Sequence, residues 1–387
     1  MPTAEYARTD WREKFFDFGD AIFLNAAGQA PMPRVSARAL EKASEWKCRP
    51  HLIPDDLFFA LPDRVRALLA RLLGGEPHEF ALATGATGGL AAVAHGLDWK
   101  QEDEVLVATG EFPAHLSTWK PMAGAGRLTV KMVAPRERFV TDDDFIAAVT
   151  PRTRLVSASL VRFDDASLLD ARRVADAVHA AGGYLLLDVS QAAAAVPFRA
   201  RDLGADFMVC AGYKWLLSPY GSGFFWIREE LIDQMRPAPF YWMAINGSAQ
   251  FSALGDNLNV VPVPRHARRW DTAETANFFN LAVMEASLAF VLEAGVDTVR
   301  QHNERLTEQV IARLPLDRCV LNSPRDPAAR GPYVCVAGRS PEKTKAIYDR
   351  LYENKVYVAL REGNLRIAPY LYNTEQEIDR LLMLLGV

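Results

Sequence analysis

Cysteine is scarce in this chain of 387 residues: Cys48, Cys210, Cys319 and Cys335 are the only four, and no two form a CxxC spacing. That argues against a disulfide-stapled scaffold or a zinc ribbon and makes buried, reduced thiols the expectation. No metal ligand is expected. Charge is nearly balanced, formally −4 with 24% charged residues, so no basic face points to nucleic acid or an anionic membrane. Long apolar runs are also missing: the most apolar helical stretch, Phe278 to Leu292, is interrupted by Asn280 and Glu285 and falls short of a membrane span. The opening MPTAEYARTDWREKFFDFGD lacks the basic and apolar segments of a signal peptide, and a cytoplasmic location is expected by elimination. There is no internal repeat or low-complexity tract.

What remains is a chain that is 50% hydrophobic, long enough for a large core and for two domains. Its organising stretch runs from Gly182 to Ile227. The run Tyr184-Leu185-Leu186-Leu187 is too short and too uniformly apolar for an amphipathic helix, and reads as a central parallel strand ending at Asp188. Asp188 and Gln191 then project at the carboxyl edge of the sheet, where open α/β sheets bind ligands. Phe207 to Cys210 reads as the next strand and delivers Tyr213-Lys214 to the same edge, and Gly221 and Gly223 turn the chain into a third strand, Phe224 to Ile227. The apolar neighbours Trp215-Leu216-Leu217 would lower the pKa of Lys214 and favour the neutral amine that imine chemistry needs. Singly, Asp188 reads as a helix cap and Lys214 as a loop lysine; together they are the minimal equipment for pyridoxal phosphate.

Earlier in the chain, Ile22-Phe23-Leu24 enters the small-residue turn Asn25-Ala26-Ala27-Gly28, where backbone can approach a ligand. Leu61 to Leu73 has helical spacing and stops at Gly74-Gly75. Phe80 to Ala83 leads into Thr84-Gly85-Ala86-Thr87-Gly88-Gly89 and the apolar helix Leu90 to Leu97, an arrangement that offers backbone N–H groups to a phosphate. The same TGATGG string supports a rival, a nicotinamide dinucleotide fold; acids Glu102, Asp103 and Glu104 follow at about the right distance, but before a strand instead of after one. Val105 to Ala108 runs into Thr109–His115, where Phe112 is the candidate to cover a pyridine ring. Alternating strands and helices continue to Asp188 and predict a parallel sheet. The stretch 237–277 is rich in Pro, Asn, Gly and Ser and is expected to shape the pocket. Strands near Tyr333–Val336, Val356–Leu360 and Leu365–Ala368, with helices at Pro341–Leu351 and Thr374–Leu385, predict a smaller α+β carboxyl-terminal domain.

Several motifs in this order resemble the class V aminotransferase family of fold-type I pyridoxal phosphate enzymes, which includes cysteine desulfurases, kynureninases and isopenicillin N epimerase-like proteins. They are GATGG, LLLDVSQAAAAVPF, ADFMVCAGYKWLLSPYGSGFFWI, ARRWDTAETANF and LRIAPYLYNTEQEID, and the resemblance covers most of the chain. It implies an α/β fold with a mainly parallel seven-stranded sheet, helices on both faces and a small α+β domain. The expected division is residues 20–265 for the large domain, with 1–19 and 266–387 forming the small one. By resemblance, Lys214 holds the cofactor as an internal aldimine and shuttles the α-proton, Asp188 pairs with the pyridinium nitrogen, and Gln191 approaches the phenolic oxygen. Ala86, Thr87 and Tyr213 hold the phosphate. Thr275 comes from the second subunit of a homodimer, and Arg366 grips the substrate carboxylate with its planar fork. Asn25 and Ala27 are further substrate-binding candidates.

The departures are specific. Phe112 stands where many desulfurases have histidine, Phe163 where some relatives have asparagine, and Leu360-Arg361-Glu362-Gly363-Asn364 contains no cysteine to carry persulfide. A small amino acid processed through an external aldimine is expected, with transamination favoured. A C–S β-lyase or an amino-acid epimerase is the alternative; an NAD(P)-dependent dehydrogenase or a cofactor-free binding protein is more remote.

Overall fold

Uniformly apolar runs too short for helices build the centre of the molecule, seen in a computed structural model that describes residues 10–236, 240–245, 265–275 and 277–386. After the two-residue strand β1 (Ile22–Phe23) and the helices α1 (Arg34–Cys48) and α2 (Leu57–Leu73) come β2 (Phe80–Ala83), α3 (Ala86–Gly96), β3 (Glu104–Ala108), α4 (Pro113–Gly124) and β4 (Thr129–Val133). The series continues with α5 (Asp142–Ala148), β5 (Thr153–Ser159), α6 (Ala171–Ala180), β6 (Tyr184–Asp188), β7 (Phe207–Ala211), β8 (Gly223–Ile227) and the short α7 (Glu229–Ile232). Strands β2, β3, β6, β7 and β8 are buried almost throughout, as strands covered by helices on both faces must be.

Seven strands form one sheet in the order β2-β8-β7-β6-β5-β3-β4. All neighbours from β7 to β4 are parallel, whereas β8 is antiparallel to both β7 and β2. The strand after Lys214 therefore returns as a hairpin partner of β7, because the connection is too short for a crossover. The carboxyl ends of β2, β3, β5, β6 and β7 consequently lie at one edge, together with the start of β8.

Local chemistry explains most of the helices. In α6, Ala171, Val174, Ala175 and Val178 form the buried stripe, and Asp170 caps the first turn by accepting from the Arg173 N–H. Helix α2 stops at Gly74, whose φ of 78° is readily adopted by glycine. Helix α3 begins at Ala86, four residues before the expected start, so Gly88 and Gly89 lie within it. A Cβ on Gly89 would overlap Val209 Cγ1 and stand 3.0 Å from Phe225 Cβ, so this glycine lets α3 sit directly on β7 and β8. Helices α1 and α4 have no counterpart in the sequence reading.

A second, four-stranded antiparallel sheet has the order β12-β13-β10-β9, formed by β9 (Cys319–Leu321), β10 (Val334–Gly338), β12 (Ala359–Arg361) and β13 (Asn364–Ile367). Strand β9 is an addition to the sequence reading. Strand β11 (Val356–Tyr357) pairs in parallel with β1, and Asn25 bridges to Ala368. Helices Pro341–Glu353 and Glu375–Gly386 bury Ile347, Leu351, Leu381 and Leu385 against this unit. Helix Phe278–Ala294 shares its core with the large sheet's side, as do Trp11 and Phe15, whose rings meet Phe290 edge-on at 5.8 and 5.6 Å. Among the described residues no single helix is long and apolar enough to cross a membrane. Residues 237–239, 246–264 and 276 of the stretch expected to shape the pocket lie outside the described residues.

Candidate active site

Asp188 ends β6 at the edge where the strands converge, and it is buried. Its Oδ1 accepts from the Ser190 N–H at 2.8 Å, and its Oδ2 faces His115 Nε2 at 3.8 Å. Burial alone would push the carboxyl pKa up. The His115 contact, the charges of His115 and Lys214, and the Ser190 bond together outweigh burial and hold it below its ordinary value. Ser190 also ties this turn to β7, its Oγ accepting from the Ala211 N–H at 2.8 Å.

Lys214 lies in the β7–β8 turn. The turn is closed by the Leu217 N–H on the Lys214 carbonyl and the Ser218 N–H on the Gly212 carbonyl, both at 3.0 Å. Leu217 takes a φ of 55° there. The lysine is buried, and loss of hydration, only partly offset by the Asp188 charge, lowers its pKa from 10.5 to about 8; Arg366 and Arg361 act in the same direction as burial. Its Nζ stands 5.3 Å from the centroid of the Phe112 ring, which Phe163 buttresses edge-on at 5.3 Å. Phe112 is held by the Glu111 carboxylate, which accepts from the Phe112 N–H at 2.7 Å and from the Ser159 hydroxyl at 2.7 Å.

Gln191 binds the amino-terminal turn to the lysine turn. Its Nε2 donates to the Ala27 carbonyl at 3.0 Å, and its Oε1 accepts from Trp215 Nε1 at 2.9 Å. Asn25 and Ala27 thereby reach the site, reinforced by the Ala26 N–H on the Ala368 carbonyl at 3.0 Å. The Asn25 Oδ1 is buried without a hydrogen-bond partner. Arg366, on β13, donates to the Phe163 carbonyl at 3.2 Å and lies over the Tyr333 ring at 5.6 Å from its centroid. Its Nε has no partner, it forms no ion pair with any described residue, and burial lowers its pKa.

Ala86 and Thr87 open α3, whose amino terminus has no side-chain cap. Gly223 stands between Ala211 and Ala83, and a Cβ there would overlap the Cys210 carbonyl and lie 3.0 Å from Gly85 Cα. The lysine turn and this helix start can therefore approach closely. Tyr213 packs on Tyr220 with ring centroids 4.9 Å apart, and burial, with Tyr220 beside it, raises its pKa. Thr275 donates to the Thr272 carbonyl at 2.9 Å and lines a cavity of about 110 Å³ with Thr84, Gly221 and Gly223. Among the described residues, no group of three or more His, Cys, Asp and Glu side chains gathers as a metal site.

Three contributors escaped the sequence reading. His115 is fully buried, with Nδ1 2.8 Å from the Ser157 hydroxyl, which also accepts from Trp119 Nε1 at 2.9 Å. Arg162 donates to the Thr109 and Gly110 carbonyls and to Asp164, anchoring the turn before Phe112. Tyr333 stacks on Trp215 and donates to the Arg162 carbonyl at 2.6 Å. The position of His115 just after the carboxyl end of β3 was the available signal for it; the other two become visible only when distant segments meet.

A desolvated lysine, an ionised carboxylate, an aromatic face, a free helix amino terminus and an unpaired arginine at one sheet edge suit a phosphorylated pyridine aldehyde and an amino acid. They define a fold-type I pyridoxal phosphate enzyme. The sequence profile of the family described as Aminotransferase class-V matches residues 23–381, and the chain belongs to that family. It is 28% identical to an isopenicillin N epimerase of Streptomyces clavuligerus, over 97% of each chain. It is 23% identical to an uncharacterized aminotransferase of Bacillus subtilis, over 97% of this chain and 96% of that one. In fold it is similar to a C-DES mutant with glycine linked covalently to the PLP cofactor, with a TM-score of 0.86, 20% identity, and coverage of 97% and 98% of the two chains. Pyridoxal 5′-phosphate is the cofactor of the family. Lys214, Asp188, Phe112 and the α3 amino terminus are the residues that would hold it.

Proposed function

We propose that the protein is a pyridoxal phosphate-dependent aminotransferase that moves a proton at the α-carbon of an amino acid with a free α-carboxylate. The cofactor, when bound, supplies the electron sink that makes this proton removable. Asp188, kept ionised by His115 and Ser190, holds the charge that a protonated ring nitrogen requires. Phe112, set by Glu111 and Phe163, covers one face. Arg366 receives the α-carboxylate, which would relieve a buried guanidinium with no acid partner.

One observation carries the preference for transamination. Lys214 is the group whose pKa is brought down to about 8, close to neutral, while burial raises those of Cys210 and Tyr213 beside it. One base among the described residues on one face suits delivery and return of one proton. Persulfide chemistry is disfavoured, since burial also raises the Cys335 thiol and the β12–β13 turn has no cysteine. Epimerisation, named for the Streptomyces relative, is the second reading. We place the working unit as a homodimer, with Thr275 offered to the neighbouring site.

The test is an amino-acid screen with and without a 2-oxo acid acceptor, monitored by product identity and chirality. Acceptor-dependent formation of a new 2-oxo acid supports the reading. Acceptor-independent racemisation, or release of ammonia and pyruvate, replaces it. Lys214→Ala should abolish turnover.

A further inference from the structure

Arg366 does not stand alone on its strand. In the β12–β13 hairpin, Ala359 is opposite Arg366 and Arg361 is opposite Asn364. Side chains two apart on a strand share a face, so Arg361, Asn364 and Arg366 belong to the same one, with Arg361 and Arg366 as diagonal neighbours about 7–8 Å apart. The two-residue turn Glu362-Gly363, with φ of 45° and 74°, is the geometry that holds such a hairpin in register. The Asn364 amide fastens that face over the site by donating to the Asp164 carbonyl at 3.2 Å.

We infer that this face is a two-arginine clamp and that the substrate is a dicarboxylic amino acid, with its α-carboxylate on Arg366 and its distal carboxylate on Arg361. The inference rests on the reading of Arg366 given above. Arg361 is exposed, with one hydrogen bond, Nη1 to the neighbouring Leu360 carbonyl at 2.8 Å, and no ion pair with any described residue. Of the acids near this face, Asp164 and Asp165 face Arg162 at 2.8 and 3.4 Å, and Glu362, next to Arg361 in the exposed turn, forms no ion pair with any described residue. Both guanidinium charges also bear on Lys214, so this face is electropositive towards the lysine. A ligand with one carboxylate leaves Arg361 unanswered, whereas one with two carboxylates a short carbon chain apart answers both. The same pair would take the matching 2-oxo diacid as amino acceptor.

The experiment is a titration of the cofactor-loaded protein with L-glutamate, L-glutamine, L-aspartate and L-asparagine, following the cofactor absorbance to obtain Kd without requiring turnover. Each acid should bind on the order of 10- to 100-fold more tightly than its amide, the range for a charged bidentate contact. In Arg361→Gln that preference should vanish while amide affinity is retained, and Arg361→Lys should restore part of it. Equal affinity for acids and amides in the native protein overturns the inference, as does an Arg361→Gln protein that weakens both ligand types alike. If no amino acid perturbs the spectrum of either protein, the proposed function itself fails and the clamp falls with it.

Discussion

The burial that lowers the Lys214 pKa also destabilises the cofactor-free protein. The lysine pKa is 10.5 in water and about 8 in the fold. At about 1.4 kcal/mol per tenfold change in proton affinity, housing the ammonium costs about 3 kcal/mol. Between those two values the unfolded chain holds a proton that the native chain has released, so stability from this group rises with pH from about 8 to 10.5 and is lowest below 8. Lys214→Met removes the charge, keeps an apolar chain of similar length, and leaves Asp188 with the Ser190 N–H and His115. Cofactor-free Lys214→Met should therefore be more stable than the cofactor-free native protein at pH 7, by on the order of 3 kcal/mol, and the gap should close as pH approaches 10.5. Urea unfolding of both proteins at matched concentration, at steps from pH 7 to 10.5, measures the difference and cancels every other titrating group. A gap that is absent at pH 7, or that widens with pH, would refute the argument that desolvation sets the lysine's pKa.

Three further outcomes follow from the packing. Gly89→Val places a side chain into Val209 and Phe225, so it should lower stability by about 1–3 kcal/mol and weaken cofactor retention in equilibrium dialysis by displacing the start of α3. Ser157→Ala strips Trp119 Nε1 and His115 Nδ1 of their shared partner, and denaturant unfolding should register a loss of about 1–3 kcal/mol. Asp188→Asn keeps the Ser190 contact but removes the charge, so steady-state turnover should fall at least about a hundredfold with little loss of fold; retention of full turnover would remove Asp188 from the chemistry.

The central strands were legible because each is a short apolar run bounded by a turn, and β6 ends where the sequence reading ended it. Asp188 and Lys214 were legible as candidates because Asp188 closes such a strand and Lys214 lies in the short turn after the next one. The start of α3 was misplaced because glycine is a poor helix former, and its use at Gly89 depends on side chains of two other strands. Helix α4 was missed for a related reason: it carries Pro121 and a buried polar residue, His115, among few apolar ones, so its apolar periodicity is weak. The direction of β8 depended on the sheet partner it found, which composition does not encode.

The site divides in the same way. Chain-local chemistry marked the candidate residues: a lysine among apolar neighbours, an acid at a strand end, and a glycine-rich turn before a helix. Tertiary structure decided how they are controlled, because the controlling contacts join segments far apart in the chain. His115 comes to Asp188 from α4, Gln191 links Ala27 to Trp215, and Arg366 reaches the Phe163 carbonyl across two sheets. Desolvation and charge coupling depend on distance through space, so the lowered lysine pKa and the arginine without an acid partner arise only once those segments have packed.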